Sequence, residues 1–303
     1  MKNSHSDVIL LMASQDGVSN SSFDKTSDRM ICLFDRVQER GHRMFFLGPD
    51  GNSILSGGMR SVLQDVEARH PGSVLLLTLS SSADEYAIRW PRDCLHQIGG
   101  FVALAEGTVP DQIVRLLGIQ PARISPLCEG GLFLQMGDVL LSSSAVPQCA
   151  ELKSIRRALK THDIPHPYTS SRYWLDCDPG LPELTHIDLD CSLLRASSGQ
   201  LLLLVGERYY QAYENEVRVV CEALNACLLV VPQEEVELRM LNLIHLPPLD
   251  VILPAGSVVV REFLRRHIGE EHLIEVKIDE HFGYNGGLGG LRCMSSVLMG
   301  NVG

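Results

Sequence analysis

The sequence predicts an α/β fold, and three observations carry the prediction. Apolar runs of strand length, bounded by glycine, proline, serine and aspartate, recur along the whole chain. From Val8 to Leu79 they alternate with stretches of helical spacing in the order strand, helix, strand, helix, strand, the pattern in which helices cover buried strands. No linker, low-complexity segment or run of like charge divides the 303 residues, so one domain of recurring α/β units is expected over residues 1–303.

Val8 to Ala13 reads as a buried strand. Phe23 to Arg40 has helical spacing, with Met30, Leu33, Phe34 and Val37 on one side and Gly41 as its stop. Met44 to Leu47 is the next strand, Met59 to Arg69 a helix, and Val74 to Leu79 a strand. Phe101 to Ala105 reads as a strand and Asp111 to Leu117 as a short helix. Leu132 to Leu134 and Val139 to Leu141 pair across a hairpin at Met136-Gly137-Asp138. Glu151 to Thr161 is expected to be helical, and His162 to Pro167 a proline-rich loop. Thr185 to Leu194 and Leu201 to Val205 form a second hairpin around Ser197-Ser198-Gly199. Then come a helix from Glu214 to Ala226, a strand from Leu228 to Val231, and a helical or extended stretch from Glu234 to Leu243. Strands at Leu249–Leu253, His272–Ile278 and Arg292–Leu298, with a helix at Ser257–His267, complete the chain.

Composition narrows the function. The net charge is -11 and no lysine or arginine cluster is present, which excludes nucleic acid and anionic membrane as partners and favours a cationic substrate. Nine cysteines are scattered without a C-x-x-C pair, the usage of reduced thiols in a cytoplasmic protein. The apolar run Val8 to Ala13 is too short for a signal peptide or a membrane span.

Four stretches carry chemistry. In Arg89-Trp90-Pro91-Arg92-Asp93 the proline stiffens the chain, so Asp93 is presented from a rigid turn. In Cys128-Glu129-Gly130-Gly131 the glycines either make a turn or clear space for a ligand beside Glu129. In Thr185 to Leu194, strand alternation would put His186, Asp188 and Asp190 on one face and Ile187, Leu189 and Cys191 on the other, which makes either a wet face or a functional one. The glycine run from Tyr284 to Gly290 leads to Cys293, a thiol free to face a cavity if it is not a buried structural one.

These residues belong together under one chemistry. A thiolate attacks, and a histidine protonates the leaving group and then activates water. Carboxylates would repel that thiolate unless the substrate is a cation. A guanidinium resolves the conflict, because it is planar, cationic, matched to carboxylates and electrophilic at its central carbon. No cofactor is called for. A metal hydrolase built on His186, Asp188 and Asp190 would need more histidines, and the glycine run lacks the Gly-Lys-Ser/Thr of a phosphate loop.

Trp90-Pro91-Arg92-Asp93, Glu129-Gly130-Gly131, His186-x-Asp188 and Gly289-Gly290-Leu291-Arg292-Cys293-Met294-Ser295 together resemble, in order, the motifs of the pentein or guanidine-modifying superfamily. That group includes arginine and agmatine deiminases, dimethylarginine dimethylaminohydrolases and amidinotransferases. The resemblance covers the chain from about residue 85 onward. It implies a five-bladed α/β propeller around a central site. It also implies Cys293 as nucleophile, His186 as general acid and base, Asp93 and Asp188 as guanidinium ligands, and Glu129 as orienter of His186 or part of the acidic pocket. Arg92 and Arg292 are the arginines left for a substrate carboxylate. Leu288 departs from the pattern, standing where a deiminase often has a basic residue. The implied reaction is hydrolysis of a small guanidino substrate through an amidino-cysteine; the alternatives are amidino transfer to an amine and a non-catalytic binding propeller. A homodimer is left open.

Overall fold

The computed structural model describes residues 7–13, 23–50, 57–81, 84, 87–88, 91–98, 101–104, 108–118, 122–123, 130–143, 153, 157, 159–164, 186–277 and 291–300. The chain opens with β1 (Asp7–Ala13), α1 (Phe23–Glu39), β2 (Arg43–Pro49), α2 (Gly57–Arg69) and β3 (Val74–Leu77). Next come α3 (Pro91–Cys94), β4 (Leu95–Ile98), β5 (Phe101–Leu104), α4 (Thr108–Leu117) and β6 (Ala122–Arg123). β7 (Phe133–Met136), β8 (Val139–Ser143) and β9 (Lys160–Ile164) follow. The second half holds β10 (Cys191–Arg195), β11 (Leu201–Gly206), α5 (Glu207–Ala212), α6 (Glu214–Leu224) and β12 (Cys227–Val231). It ends with α7 (Gln233–Glu237), β13 (Ile244–Leu246), β14 (Asp250–Pro254), α8 (Val259–His267), β15 (Leu273–Val276) and β16 (Ser295–Gly300).

One pairing scheme is repeated. In β4-β5-β6, β7-β8-β9, β10-β11-β12 and β13-β14-β15 the first two strands are antiparallel and the last two parallel. The fifth sheet, β16-β1-β2-β3, obtains its antiparallel strand from the far end of the chain, with Val8 opposite Met299 and Leu10 opposite Val297. A parallel pair needs a crossover, and α1, α2, α4, α5 with α6, and α8 supply it. These crossovers bury one face each. In α1, Met30, Leu33, Phe34 and Val37 point inward as their spacing predicts, and Gly41 at φ +79° lets the chain leave the helix.

Neighbouring sheets share their cores. One cluster joins Leu10 and Phe46 of the β16-β1-β2-β3 sheet to Ile252 and Ile274 of β13-β14-β15, and another joins Leu11 and Leu47 to Leu95 beside β5. Two more link β7-β8-β9 to β10-β11-β12 and β10-β11-β12 to β13-β14-β15. The α/β expectation is met. No helix among the described residues is long and apolar enough to cross a membrane.

Two local expectations are corrected. Lys160–Ile164, assigned from sequence to a helix end and a proline-rich loop, is strand β9, because pairing with β8 overrides a weak helical pattern. His186 to Asp190 is not an alternating strand: Ile187–Leu189 forms one 3-10 turn, and β10 begins only at Cys191.

Candidate active site

The segments that carry chemistry all stand just before the antiparallel strand of a sheet. α3 precedes β4, the turn Gly130–Leu132 precedes β7, His186 to Asp190 precede β10, and Cys293 precedes β16. The fifth such position, before β13, holds a residue that sequence reasoning passed over, Asn242. Segments at strand ends are where a rigid scaffold presents functional groups.

His186 has extended backbone (φ -76°, ψ 132°), and the 3-10 turn after it folds back so that Leu189 N–H donates to its carbonyl at 3.3 Å. The turn is anchored by fully buried Ile187. Cys293 is held between buried Leu291 and Met294 and is 3% exposed. The result is a compact cluster: a ring nitrogen of His186, a carboxylate oxygen of Asp188 and Cys293 Sγ lie within 4.8 Å of one another.

Asn242 ties this cluster together. Its Oδ1 accepts from the backbone N–H of Arg292 at 2.7 Å and of Cys293 at 3.2 Å. Its Nδ2 donates to the Asp188 carbonyl at 3.2 Å and to Cys293 Sγ at 3.2 Å. An N–H aimed at sulfur supports negative charge there. The sequence signal was an asparagine inside the apolar stretch Met240-Leu241-Asn242-Leu243-Ile244; in the structure it is fully buried, where a polar side chain must find partners.

Asp188 is fully buried, and neither carboxylate oxygen has a hydrogen-bond partner among the described residues. Two guanidiniums approach it instead: Arg92 Nη1 at 3.4 Å and Arg292 Nε at 4.0 Å from Oδ2. Arg92 is fixed by donating from Nη2 to the Gly130 and Phe133 carbonyls, both at 2.8 Å. Burial and the adjacent Arg92 charge bring the Arg292 guanidinium down to about 9, against the pull of Asp188 and Cys293, so it remains a cation at neutral pH. Imidazole, carboxylate and thiol are donors that a divalent metal also accepts.

The paired glycines serve the protein's own groups. A Cβ at Gly131 would fall inside the van der Waals envelope of the His186 ring, and one at Gly130 inside that of the Arg92 carbonyl. The structure therefore brings together Cys293, His186, Asp188, Arg92 and Arg292 of the residues expected from sequence. Asp93 lies on α3, with its backbone alone described; Glu129 and the glycine run from Tyr284 to Gly290 lie outside the described residues. Asp190, expected on the same face as His186, is buried in the turn, where its carbonyl accepts from Gly206 N–H. Cys191, three residues beyond Asp188, is a contrasting thiol: burial, then the charges of Asp190 and Asp188, push it well above the ordinary range.

No family model matches the sequence, and no curated protein does either. Solved structures do match over nearly the whole chain. A histidine-to-glycine variant of dimethylarginine dimethylaminohydrolase, in adduct with S-methyl-L-thiocitrulline, is 16% identical with a TM-score of 0.51, covering 96% of this chain and 99% of its own. A cysteine-to-serine variant of the Pseudomonas aeruginosa enzyme of the same name, complexed with citrulline, is 16% identical with a TM-score of 0.50, covering 96% and 98%. SxtG, an amidinotransferase of the saxitoxin biosynthetic pathway from Microseira wollei, is 12% identical with a TM-score of 0.56, covering 95% and 92%. The chain shares its fold with these dimethylarginine dimethylaminohydrolase and amidinotransferase structures.

Proposed function

We propose that the protein is a cysteine-dependent hydrolase of a small guanidino compound, acting as one catalytic domain. One observation carries the reading: a thiol, an imidazole and a buried carboxylate, whose oxygens accept no hydrogen bond from the described residues, form one cluster. A buried carboxylate demands N–H partners, and a substrate guanidinium brings them in pairs. Asp188 then holds the cation, with Asp93 as its expected second ligand, and the cation's carbon lies next to Cys293 Sγ.

In the first step the Cys293 thiolate forms an S–C bond to the guanidinium carbon. The C–N bond to the departing ammonia or amine breaks as His186 gives that nitrogen a proton. His186 next takes a proton from water, the hydroxide adds to the amidino carbon, and the S–C bond breaks to release a ureido product and the thiolate. Glu129 is assigned to orienting His186, and Arg292 to a carboxylate on the substrate. The scaffold we infer is a five-bladed α/β propeller. Five sheets with one pairing scheme, and cores that join neighbouring sheets, support it. The described cysteines are free thiols, in keeping with a reducing, cytoplasmic setting.

The test is to incubate the full chain and Cys293→Ser with arginine, agmatine, dimethylarginine and simple guanidino acids, with and without an amine acceptor. Mass spectrometry then reads product and protein adduct. A ureido product from the wild type, reduced about a thousandfold or more in the variant, is expected. Product formed only with the acceptor would replace hydrolysis by amidino transfer. No turnover and no adduct on Cys293 with any compound would end the catalytic reading for these substrates.

A further inference from the structure

A second feature is a cavity of about 530 Å³ lined by residues of β4, β7, β10, β13 and β16. Arg92 and Arg292 line it, whereas His186, Asp188 and Cys293 do not, so the two arginines are shared between the catalytic cluster and this cavity. The charge of the lining is one-sided. Arg92, Arg195 and Arg292 contribute positive charge, His96 and His245 add neutral rings, and no aspartate or glutamate is among the described residues that line it. This stands out in a chain of net charge -11.

The basic groups are poorly satisfied by the protein. Among the described residues one carboxylate, Asp188, faces both Arg92 and Arg292. Among the described residues Arg195 donates to the Gly199 carbonyl at 3.1 Å and has Asp138 as a nearby charge. His96 is 6% exposed, with the Arg92 backbone beside its ring, and among the described residues no hydrogen-bond partner meets His245 Nε2 or Arg92 Nε. Burial, with repulsion from Arg92, holds His96 down at about 3, and burial holds His245 down at about 4, so both rings are neutral in the cationic cavity. Buried donors left without acceptors destabilise a fold unless water or a ligand meets them. The remaining walls include Phe133, Leu194 and Ile244, which suit a carbon skeleton better than water or a bare inorganic ion.

We propose that this cavity binds a small organic anion, a carboxylate or a phosphate monoester, held by Arg195, Arg292, His96 and His245. Because Arg292 reaches Asp188 at 4.0 Å without a hydrogen bond, an anion can draw it into the cavity and change the charge facing Asp188. The inference does not depend on the reaction catalysed, and its test does not use turnover.

Calorimetric titration of the full chain with succinate, glycerol phosphate and inorganic phosphate, and with succinamide as the neutral counterpart, separates the anion classes. Saturable binding of succinate or glycerol phosphate, tighter than that of inorganic phosphate and absent for succinamide, is expected. Arg195→Gln should weaken it by about tenfold, the loss of one charge-assisted contact, and Gln135→Glu, which puts a carboxylate into the lining, should abolish it. The His96 and His245 ring-proton resonances should move with the same saturation. Unfolding temperatures of both variants without anion establish that they fold. No saturable binding, binding equal for succinamide, binding indifferent to both substitutions, or histidine resonances that stay still would each overturn the proposal.

Discussion

At the scale of single residues, Asn242 does what no charged group could do in its place. It presents an acceptor to two backbone N–H groups and a donor to both a carbonyl and a thiol. Asn242→Asp keeps the acceptor and replaces the donor by a negative charge near sulfur. Alkylation of Cys293 by iodoacetamide at neutral pH is expected to slow by about tenfold, since a hydrogen bond to a charged group contributes roughly 1.5–3 kcal/mol. An unchanged alkylation rate in a folded variant would show that the amide only shapes the loop. Gly131 argues in the opposite sense, by lacking atoms, because the His186 ring occupies the space a side chain would need.

At the scale of elements, the helix starts are secured from outside their own sequence. Glu235, on α7, accepts from the backbone N–H groups of Val258, Val259 and Val260 and from Ser257 Oγ. Burial alone would raise this carboxyl, but those hydrogen bonds bring it below the ordinary range. Its contribution to stability is therefore complete above the unfolded carboxyl's range and lost as pH falls below it. Glu235→Ala is expected to destabilise the fold by about 2 kcal/mol, the upper range for a lost cap. Faster hydrogen exchange at Val258 to Val260 would locate the effect at α8; uniform acceleration across the chain would argue against a capping role. Asp84 does the same for α4, accepting from Val109 N–H at 2.9 Å.

At the scale of the whole molecule, the contacts that matter join sheets. Asp250 on β14 accepts from Arg40 at 2.7 Å, and is paired with His42 and His272 at 2.9 Å each, which ties the β16-β1-β2-β3 sheet to β13-β14-β15. Burial would raise this carboxyl, but the hydrogen bonds from His42 and His272 and the Arg40 charge hold it at about 2, against 3.8 ordinarily. The unfolded chain thus takes up a proton near pH 4 that the folded chain resists until about pH 2. The stabilisation is full above about pH 4 and disappears by about pH 2. Asp250→Asn is expected to lower the unfolding temperature by about 5 °C at neutral pH. That gap should close as the pH is taken from 5 to 2; a constant gap would mean that the tether is not electrostatic.

The sequence alone determined the alternation of strands and helices, since the apolar spacing of a segment such as α1 reports which face is buried wherever it packs. It also pointed to Cys293, His186 and Asp188, because few residue types can attack, shuttle protons or hold a cation, and each stood in a recognisable setting. Only the tertiary structure decided the rest. The His186 to Asp190 turn departs from strand alternation because β10 begins after it, which depends on its pairing with β11. Asn242, the approach of Arg92 and Arg292 to Asp188, the Asp250 tether and the basic cavity are all contacts between residues distant along the chain. Such contacts leave no periodicity in the sequence, because they are set by how five sheets meet and not by the conformation of any one segment.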